Sequence, residues 1–372
     1  MPPRYHLNDP DRLLSPSLIL FEEILRANLD TMIAMAGGPD RLRPHVKTHK
    51  MAAIVRLQEE LGIHKHKCAT IAEAEMVAGA GGLDVLIAYP LVGPNLGRLL
   101  GLIRTFPRTT FRVLADHPGA TRGLSAAVAA AGLERPVPTL VDLDIGMGRT
   151  GIAPGAGAEG LYALIADLPG LVPDGLHAYD GHQRAQDPAE REEKTSQGLL
   201  PALELRERLL SRGLPVPRLV LGGTPTFPFH ARSSIPGTEC SPGTTTLHDA
   251  GYGNRFPDLP FQPAALLLTR VISHPRPGRM TLDLGHKAVA ADPVGARLVL
   301  IGLPDAAIGG QSEEHLVVDL PNPGDFPPGA HLLAIPTHIC PTVALHRRAY
   351  VVRNGEVVDE WEVTARDRVL AI

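Results

Sequence analysis

The sequence predicts an α/β protein, namely a (β/α)8 TIM-like barrel followed by a mostly antiparallel β domain. Short apolar runs alternate with helical stretches from residue 22 to about residue 240, which is the pattern of a parallel barrel. Polar residues stand where the predicted strands end, and barrels of this class build their sites there. After about residue 253, strand-like runs replace the helical pattern. We therefore predict a barrel over residues 15–253 and a β domain over residues 254–372, with residues 1–14 grouped with the β domain.

Eight apolar runs bounded by Gly, Pro or Asp are the predicted barrel strands. They are residues 43–47, 66–70, 85–89, 111–115, 139–144, 175–179, 219–222 and 238–241. The clearest intervening helix begins at Asp187, with Pro188 at its first position and Glu190 completing a capping box. Gly213 marks its predicted end.

The β domain is predicted from a second set of runs that lack helical spacing. They are residues 266–274, 280–284, 297–301, 314–319, 331–335 and 349–352. Asn354-Gly355 stands between two strand-like runs, which is a two-residue hairpin signal. The short run at residues 17–21 is expected to pair with either domain.

Composition narrows the class of protein. The net charge of −4 gives no electrostatic footprint for nucleic acid or an anionic membrane. No apolar run approaches the roughly 20 residues that a membrane span requires. The three cysteines are far apart and form no disulfide framework. We therefore expect a cytoplasmic protein that acts on a small molecule.

Residues 43–50, Arg-Pro-His-Val-Lys-Thr-His-Lys, place two lysines at a predicted strand end. A lysine at the mouth of a barrel is able to hold an aldehyde cofactor covalently. For an arbitrary chain, a solvated basic loop is the commoner interpretation of such a run.

Two turns after the last predicted strands have the character of phosphate sites. Gly223 and Thr224 follow one strand, and Ser241, Gly243 and Thr244 follow the next. Paired glycines let backbone N–H groups approach an anion, and hydroxyls add donors. Their place late in the barrel is where this fold often binds phosphate.

Two further strand ends carry candidate side chains. Arg149 lies in a glycine-rich loop after the fifth predicted strand, where its guanidinium is able to bind a phenolate or carboxylate. His177 and Tyr179 share one face of the sixth predicted strand. We expect these three residues at the mouth of the barrel.

In the β domain, His338 and Cys340 have the spacing of a metal pair. In an extended segment their side chains point to the same side, about 6.6–6.8 Å apart. An imidazole and a thiolate so placed are able to reach one metal ion. His64, His66 and Cys68 form a rival set on one predicted strand face.

Taken together, these motifs resemble the D-threonine aldolase and D-serine dehydratase group, relatives of alanine racemase. The resemblance covers nearly the whole chain. It is carried by residues 43–50, by the Gly-x-Gly-Arg-x-Gly loop at 146–151, by the turns at 222–224 and 243–244, and by His-x-Cys at 338–340.

The resemblance implies pyridoxal 5'-phosphate and one divalent metal ion (zinc, manganese or similar) as cofactors. Lys47, not Lys50, matches the position that holds the cofactor covalently. The resemblance also implies a homodimer, a D-amino acid substrate and a lyase reaction.

The resemblance favours a D-threonine aldolase, which cleaves its substrate to glycine and an aldehyde. Asp249 and residues 283–287 look like the aldolases, and His182 is the candidate base that removes the hydroxyl proton. His-x-Cys is the dehydratase form of the metal pair, so elimination to a keto acid and ammonia is the alternative. A racemase and a non-catalytic cofactor carrier are more remote alternatives.

Overall fold

A closed set of parallel strands forms the barrel in the computed structural model, which describes residues 4–372. In that part of the chain, seven strands pair in sequence order. They are β2 (Lys65–Cys68), β3 (Asp84–Ile87), β4 (Thr110–Ala115), β5 (Val137–Leu143), β6 (Leu171–Ala178), β7 (Leu219–Leu221) and β8 (Thr238–Cys240). The helices that precede or follow them are α1 (Glu22–Ala36), α2 (Ala52–Glu60), α3 (Ile71–Gly79), α4 (Pro94–Thr105), α5 (Pro118–Ala130), α6 (Ala156–Asp167), α7 (Pro188–Ser211) and α8 (Phe227–Ala231). The predicted TIM-like barrel is confirmed.

The first predicted strand, residues 43–47, differs from the prediction. The segment forms only two isolated parallel bridges, Leu42 with Cys240 and His45 with Lys67. These bridges still join β8 to β2 and close the barrel. Pro44 has no N–H to donate to a ladder, which limits regular pairing here. Val46–Thr48 then turns into a short 3-10 helix.

The long helix α7 begins as predicted. The Asp187 side chain accepts a hydrogen bond from the Glu190 N–H at 2.8 Å, and Pro188 occupies the first turn. The helix ends at Ser211, and Gly213 has the positive φ of +75° that a chain leaving a helix often needs.

Side chains inside the barrel form three layers. An apolar layer of Leu86, Leu114, Leu140 and Val220 is fully or almost fully buried. Two positions earlier on three of these strands are the charged residues Asp84, Arg112 and Arg218, whose side chains point to the same side. Two positions after Leu140 comes Asp142, a polar residue near the strand end. The apolar layer therefore separates a charged layer at the amino ends of the strands from a polar layer at their carboxyl ends.

The charged layer at the amino ends is a closed ring of alternating charge, which we call the base ring. Its members are Arg43, Asp84, Arg112, Asp174, Arg218 and Glu239. Arg43 is fully buried and bonds Asp84 at 2.7 Å and Glu239 at 2.6 Å. Arg112 bonds Asp84 at 2.9 Å and Asp174 at 2.8 Å.

The pKa values of the base ring reflect burial and pairing together. Burial opposes ionisation of Asp84 and Glu239, but Arg43 and the other cations outweigh it and lower both pKa values. For Asp174, burial prevails and raises the pKa. Three arginines face three carboxylates, so the ring is balanced in charge.

In residues 4–372, nine strands form the second sheet, which is mostly antiparallel. They are β1 (Ser17–Phe21), β9 (Ala265–Arg276), β10 (Arg279–Leu282), β11 (Leu298–Leu300), β12 (Ala307–Gln311), β13 (Leu316–Asp319), β14 (His331–Pro336), β15 (Arg348–Arg353) and β16 (Glu356–Glu362). The strand β1 pairs with β9 and β15, so the run at residues 17–21 belongs to this sheet. Asn354 and Gly355 form the predicted turn, with φ of +50° and +81°. Two helices, α9 (Ala250–Arg255) and α10 (Ile339–Leu345), complete the element list.

The chain divides into two compact units, and the domain ranges 15–253 and 254–372 stay predictions. The first unit holds the antiparallel sheet, with described residues through Thr31, Thr48–Met51 and Thr244–Arg366. The second holds the barrel, with Met32–Lys47, Ala52–Gly243 and Asp367–Ile372. Residues 4–14 therefore group with the antiparallel sheet. Within the described residues, no helix has both the length and the apolar character of a membrane span.

Candidate active site

Tyr179 is the centre of a cationic cluster where the barrel strands end. The amines of Lys47 and Lys67 each lie 5.8 Å from the centroid of its ring, and the Arg149 guanidinium lies 4.8 Å away. Cations near the face of an aromatic ring are attracted by its quadrupole. We call Lys47, Lys67, Arg149, His177 and Tyr179 the mouth cluster. Four of its five members were predicted from the sequence as site residues.

Lys47 reaches the mouth cluster because the chain turns at Val46–Thr48, directly after the two bridges that close the barrel. The ring of His45 accepts a hydrogen bond from the Lys47 N–H at 3.4 Å. Lys50 has a different environment, since its amine donates to the Ala365 carbonyl at 3.3 Å. The two lysines of the motif are therefore separated in their contacts.

Lys67 is the member that sequence reasoning missed. It is only 2% exposed, and burial, followed by the charge of Lys47, lowers its pKa to about 7. For the run from His64 to Cys68, the prediction considered only the two histidines and the cysteine, as metal ligands on one strand face. The same alternation places Lys65 and Lys67 on the opposite face, which here is the inside of the barrel.

His177 is held by a carboxylate and keeps one ring nitrogen available. Its Nδ1 lies 2.7 Å from Asp142 Oδ1, and the Thr150 hydroxyl donates to Asp142 Oδ2 at 3.0 Å. Burial lowers the pKa of His177 despite this carboxylate. Its Nε2 is buried and has no hydrogen-bond partner among the described residues. A buried polar atom without a partner marks a place where a ligand is able to supply one.

The turn after β7 packs on a buried pair of side chains, Asp180 and His230. Asp180 accepts from Thr226 Oγ1 and lies against His230 Nε2, both at 2.7 Å. Gly222 has a φ of +75°, and a Cβ there would lie 2.4 Å from the His230 ring. Only glycine fits this position without displacing that ring. Asp180 and His230 are fifty positions apart, so no local pattern indicated their pairing.

The predicted phosphate-binding residues are brought together in part. The Gly243 N–H donates to Thr224 Oγ1 at 3.2 Å, which joins the two turns. Ser241 Oγ donates to the Arg43 carbonyl at 2.9 Å. At Gly223, a Cβ would lie 3.0 Å from the Tyr179 ring, so this turn packs closely on the mouth cluster. Thr244 belongs to the other unit, where its hydroxyl lies 3.7 Å from Cys340 Sγ.

His182, the predicted base, lies next to the glycine-rich loop. The Gln183 amide contacts its Nε2 at 3.1 Å, and a Cβ on Gly146 would lie 2.8 Å from the same atom. Its Nδ1 is buried without a hydrogen-bond partner in the described part of the chain. The structure thus places His182 beside the loop that carries Arg149.

The metal pair does not lie in an extended segment, so that part of the prediction is wrong. His338 is the residue before helix α10, and Cys340 is in its first turn. Cys340 nevertheless lies close enough to the imidazole to raise the pKa of His338. Asp292 lies 2.6 Å from His338 Nδ1, and the Cys340 thiol donates to Thr48 Oγ1 at 3.3 Å.

Two neighbours of His338, Cys340 and Asp292, raise the pKa of its imidazole. Burial lowers its pKa, but the hydrogen bonds and charges of Cys340 and Asp292 outweigh burial and raise the pKa to about 9. Within residues 4–372, no group of three or more His, Cys, Asp or Glu side chains has the geometry of a metal site. The protein therefore offers a pair of donors rather than a full set.

The rival set of His64, His66 and Cys68 is not assembled as a metal site. His64 and His66 both bind Glu59, at 2.6 and 2.8 Å, and His64 is exposed whereas Cys68 is fully buried. These side chains belong to the packing of β2 against its neighbouring helices.

Comparisons with known proteins agree with this architecture. A family model for the N-terminal domain of alanine racemase matches residues 22–249, and one for a putative serine dehydratase domain matches residues 264–352. The D-threonine aldolase of Arthrobacter sp is 34% identical over 98% of this chain and 96% of its own length. The chain belongs to the D-threonine aldolase and D-serine dehydratase family.

Further relatives support the same family. The 3-hydroxy-D-aspartate aldolase of Paracoccus denitrificans is 31% identical and covers 97% of this chain and 94% of its own. The crystal structure of D-threonine aldolase from Filomicrobium marinum has a TM-score of 0.88 at 33% identity, over 96% of both chains. The protein is therefore an enzyme of the lyase class, and a lyase of D-hydroxy-amino acids is the activity that its relatives support.

Proposed function

We propose that this protein is a pyridoxal-phosphate- and metal-dependent D-threonine aldolase, which cleaves the substrate to glycine and an aldehyde. The observation that carries the proposal is the mouth cluster. It holds a lysine of the family motif beside the Tyr179 ring, and a histidine whose buried Nε2 has no hydrogen-bond partner within residues 4–372. The relatives of this chain include two aldolases of D-hydroxy-amino acids, which supports the reaction class.

The residues of the barrel fit pyridoxal phosphate. The buried Nε2 of His177, which has no partner in the described part of the chain, and the amines beside Tyr179 suit an anionic aromatic aldehyde. The turns at Gly223–Thr224 and Ser241–Gly243 would bind the phosphate through N–H groups and hydroxyls. Thr244 stays a predicted member of that phosphate site. When bound, the cofactor supplies an electron sink for the carbanion formed at the substrate Cα.

Each protein residue then has a defined task. Lys47 would hold the cofactor covalently and release it to the substrate amine. Tyr179 and His177 would position the ring, and Asp142 keeps the His177 imidazole in a fixed orientation. Arg149 would bind an anionic oxygen of the cofactor or substrate at the exposed side.

His338 and Cys340 are the pair that would hold one divalent ion, since Cys340 is near enough to the imidazole to raise the pKa of His338. Asp292 on Nδ1 would fix the imidazole so that Nε2 faces the metal, which is a common arrangement in metal sites. The ion would bind the substrate hydroxyl and lower its pKa. His182 is the proposed base for that hydroxyl proton. The thiol of Cys340 favours zinc, whereas oxygen-rich sites favour manganese.

Product analysis tests the proposed reaction. The purified enzyme, supplied with pyridoxal phosphate and Zn²⁺ or Mn²⁺, is incubated separately with D-threonine and D-serine. We expect glycine and acetaldehyde from D-threonine. Keto acid and ammonia as the main products would establish the dehydratase instead, and conversion of D-threonine or D-serine to its Cα epimer alone would indicate a racemase.

The dehydratase is the second candidate because residue 340 is a cysteine. The match of residues 264–352 to a putative serine dehydratase domain points the same way. In that reaction Lys47 would remove the Cα proton, and the ion would assist loss of the hydroxide. A carrier without activity is contradicted by any turnover above the rate of free cofactor.

Metal removal separates the two halves of the proposal. Dialysis against a chelator is expected to abolish most of the turnover and to leave the visible absorbance of bound cofactor in place. Cys340→Ser is expected to shift the preferred ion from zinc toward manganese, since a hydroxyl is a harder donor. Undiminished turnover after chelation would remove the His338–Cys340 assignment. The homodimer stays a prediction, and light scattering of the purified enzyme measures it.

A further inference from the structure

Lys67 is a buried cation that has no counterion in the part of the chain that the structure describes. It lies in β2 with 2% exposure, and among the described residues its amine forms neither an ion pair nor a hydrogen bond. Asp142 and Asp180 lie in its surroundings, but each already binds a histidine, at 2.7 Å. Lys67 therefore lacks a carboxylate of its own.

An unpaired ammonium inside a barrel carries a desolvation cost that an apolar side chain avoids. The neighbouring residue in register is Leu86, a member of the apolar layer, so an aliphatic residue would suit the local packing. The cationic neighbours Lys47 and Arg149 add to the cost. Such an arrangement becomes favourable when an anionic ligand enters.

The surroundings indicate which part of a ligand Lys67 would meet. The charged and titratable groups that face it are Lys47, Arg149, Asp142, Asp180, His177 and Tyr179. Lys67 and Lys47 lie at equal distances from the Tyr179 ring. In pyridoxal phosphate, the aldehyde that Lys47 would bind stands next to the ring carbon that carries the anionic oxygen. An amine beside Lys47 is thus placed near that oxygen.

We propose that Lys67 is a second amine of the cofactor site, which binds the anionic ring oxygen of pyridoxal phosphate without forming a covalent bond. The inference rests on the proposed function and extends it, because that function gave Arg149 as the cation for an anionic oxygen of the cofactor or substrate. Lys67 is a residue in contact with cofactor, whereas Arg149 at the exposed side remains able to bind substrate.

A cation at this position has a measurable consequence. It favours the form of the lysine–cofactor link that has lost its proton, because that form is more negative. The visible band of the bound cofactor therefore titrates at a lower pH than it would without Lys67. Removal of one charge at this range is expected to raise the midpoint by about one pH unit or more.

The test compares Lys67→Met with Lys65→Met in the loaded enzyme. Lys65 is on the same strand and the same face, but its amine lies 3.2 Å from Glu239 in the base ring. We expect Lys67→Met to raise the pH midpoint of the visible band and to weaken pyridoxal phosphate binding about tenfold. Lys65→Met is expected to leave both within error. Borohydride reduction and peptide mass spectrometry are expected to mark Lys47 in all three proteins.

Three results would overturn the proposal, and they are distinguishable. A wild-type protein that shows no visible band with pyridoxal phosphate removes the proposed function itself. A normal wild-type band with an unchanged midpoint in Lys67→Met removes only the role of Lys67. A reduced label on Lys67 makes it the covalent residue. If Lys67→Met fails to fold by circular dichroism, Lys67→Gln removes the same charge and an unchanged midpoint there has the same meaning.

Discussion

The two ends of the barrel treat buried charge in opposite ways. At the base ring, three arginines alternate with three carboxylates, and the ring closes on itself. At the mouth cluster, two lysines and an arginine surround one tyrosine, and the nearby carboxylates are held by histidines. A layer of four apolar residues separates them. The paired charges of the base ring suit a structural role, whereas the excess positive charge of the mouth cluster suits a site that binds an anion.

The largest effect is expected at the mouth. Lys47→Ala removes the proposed covalent residue, and we expect turnover to fall roughly 10³-fold or more, the scale on which loss of a covalent catalytic group acts. The visible absorbance of bound cofactor should disappear as well. Lys50→Ala is the matched control and should retain both properties. Loss of the absorbance in Lys50→Ala alone would reverse the assignment.

The next largest effect is expected at the base. Arg43→Met leaves Asp84 and Glu239 with fewer partners in a buried place, and the free energy of unfolding should fall by about 3–5 kcal/mol. Denaturant unfolding measures it. Arg348→Met removes a partner of Glu360 from an exposed pair, and its cost should be much smaller than that of Arg43→Met. Equal costs for the two variants would mean that the base ring contributes no more than a surface pair.

The pH dependence of the base ring follows from its lowered carboxylate pKa values. Asp84 and Glu239 have folded-state pKa values below their unfolded ones, so their contribution is present above about pH 4 and is lost as pH falls further. The raised pKa of Asp174 works in the opposite direction. The difference in unfolding free energy between wild type and Arg43→Met should therefore shrink below about pH 4. A difference that grows in acid would contradict the pairing.

The smallest expected effect is on the free energy of unfolding of Lys67→Met, and its sign is opposite to that of Arg43→Met. Lys67→Met should stabilise the cofactor-free protein by about 1–2 kcal/mol at pH 7, since it removes an uncompensated buried charge. The folded-state pKa of about 7 lies below the unfolded value of 10.5, so the cost is full below pH 7 and fades between pH 7 and 10.5. Thermal unfolding at pH 7 and at pH 10.5 measures the gain and its loss. A destabilised variant at pH 7 would show that Lys67 is part of the packing.

The barrel could be predicted because helical and strand-like runs alternate regularly in the sequence. The start of helix α7 could be predicted from Asp187, Pro188 and Glu190. The strand β12 was missed because Ala-Ile-Gly-Gly-Gln has neither alternation nor β-branched enrichment. The helix α10 was missed because its seven residues are too few to show helical spacing, and this changed the geometry at His338.

Site residues could be predicted only where a short stretch of sequence identifies them. Lys47, Arg149 and Tyr179 stand at strand ends and could be named from position. The base ring could not, because its six members come from six separate segments and depend on the register between strands. Lys67 could have been predicted as a residue inside the barrel, since strand alternation places it on the face opposite His66. The histidines and the cysteine of that run favoured a metal site instead.

The closing segment at Leu42–His45 makes the barrel seam with two bridges, and Lys47 follows two residues later. Under the proposed assignment, seam closure and cofactor attachment depend on the same short stretch. The yellow colour of bound cofactor would then report on folding as well as on loading. A destabilising change anywhere along the seam, such as at Arg43, should bleach the protein before the rest of the barrel unfolds, and added cofactor should delay that loss by mass action.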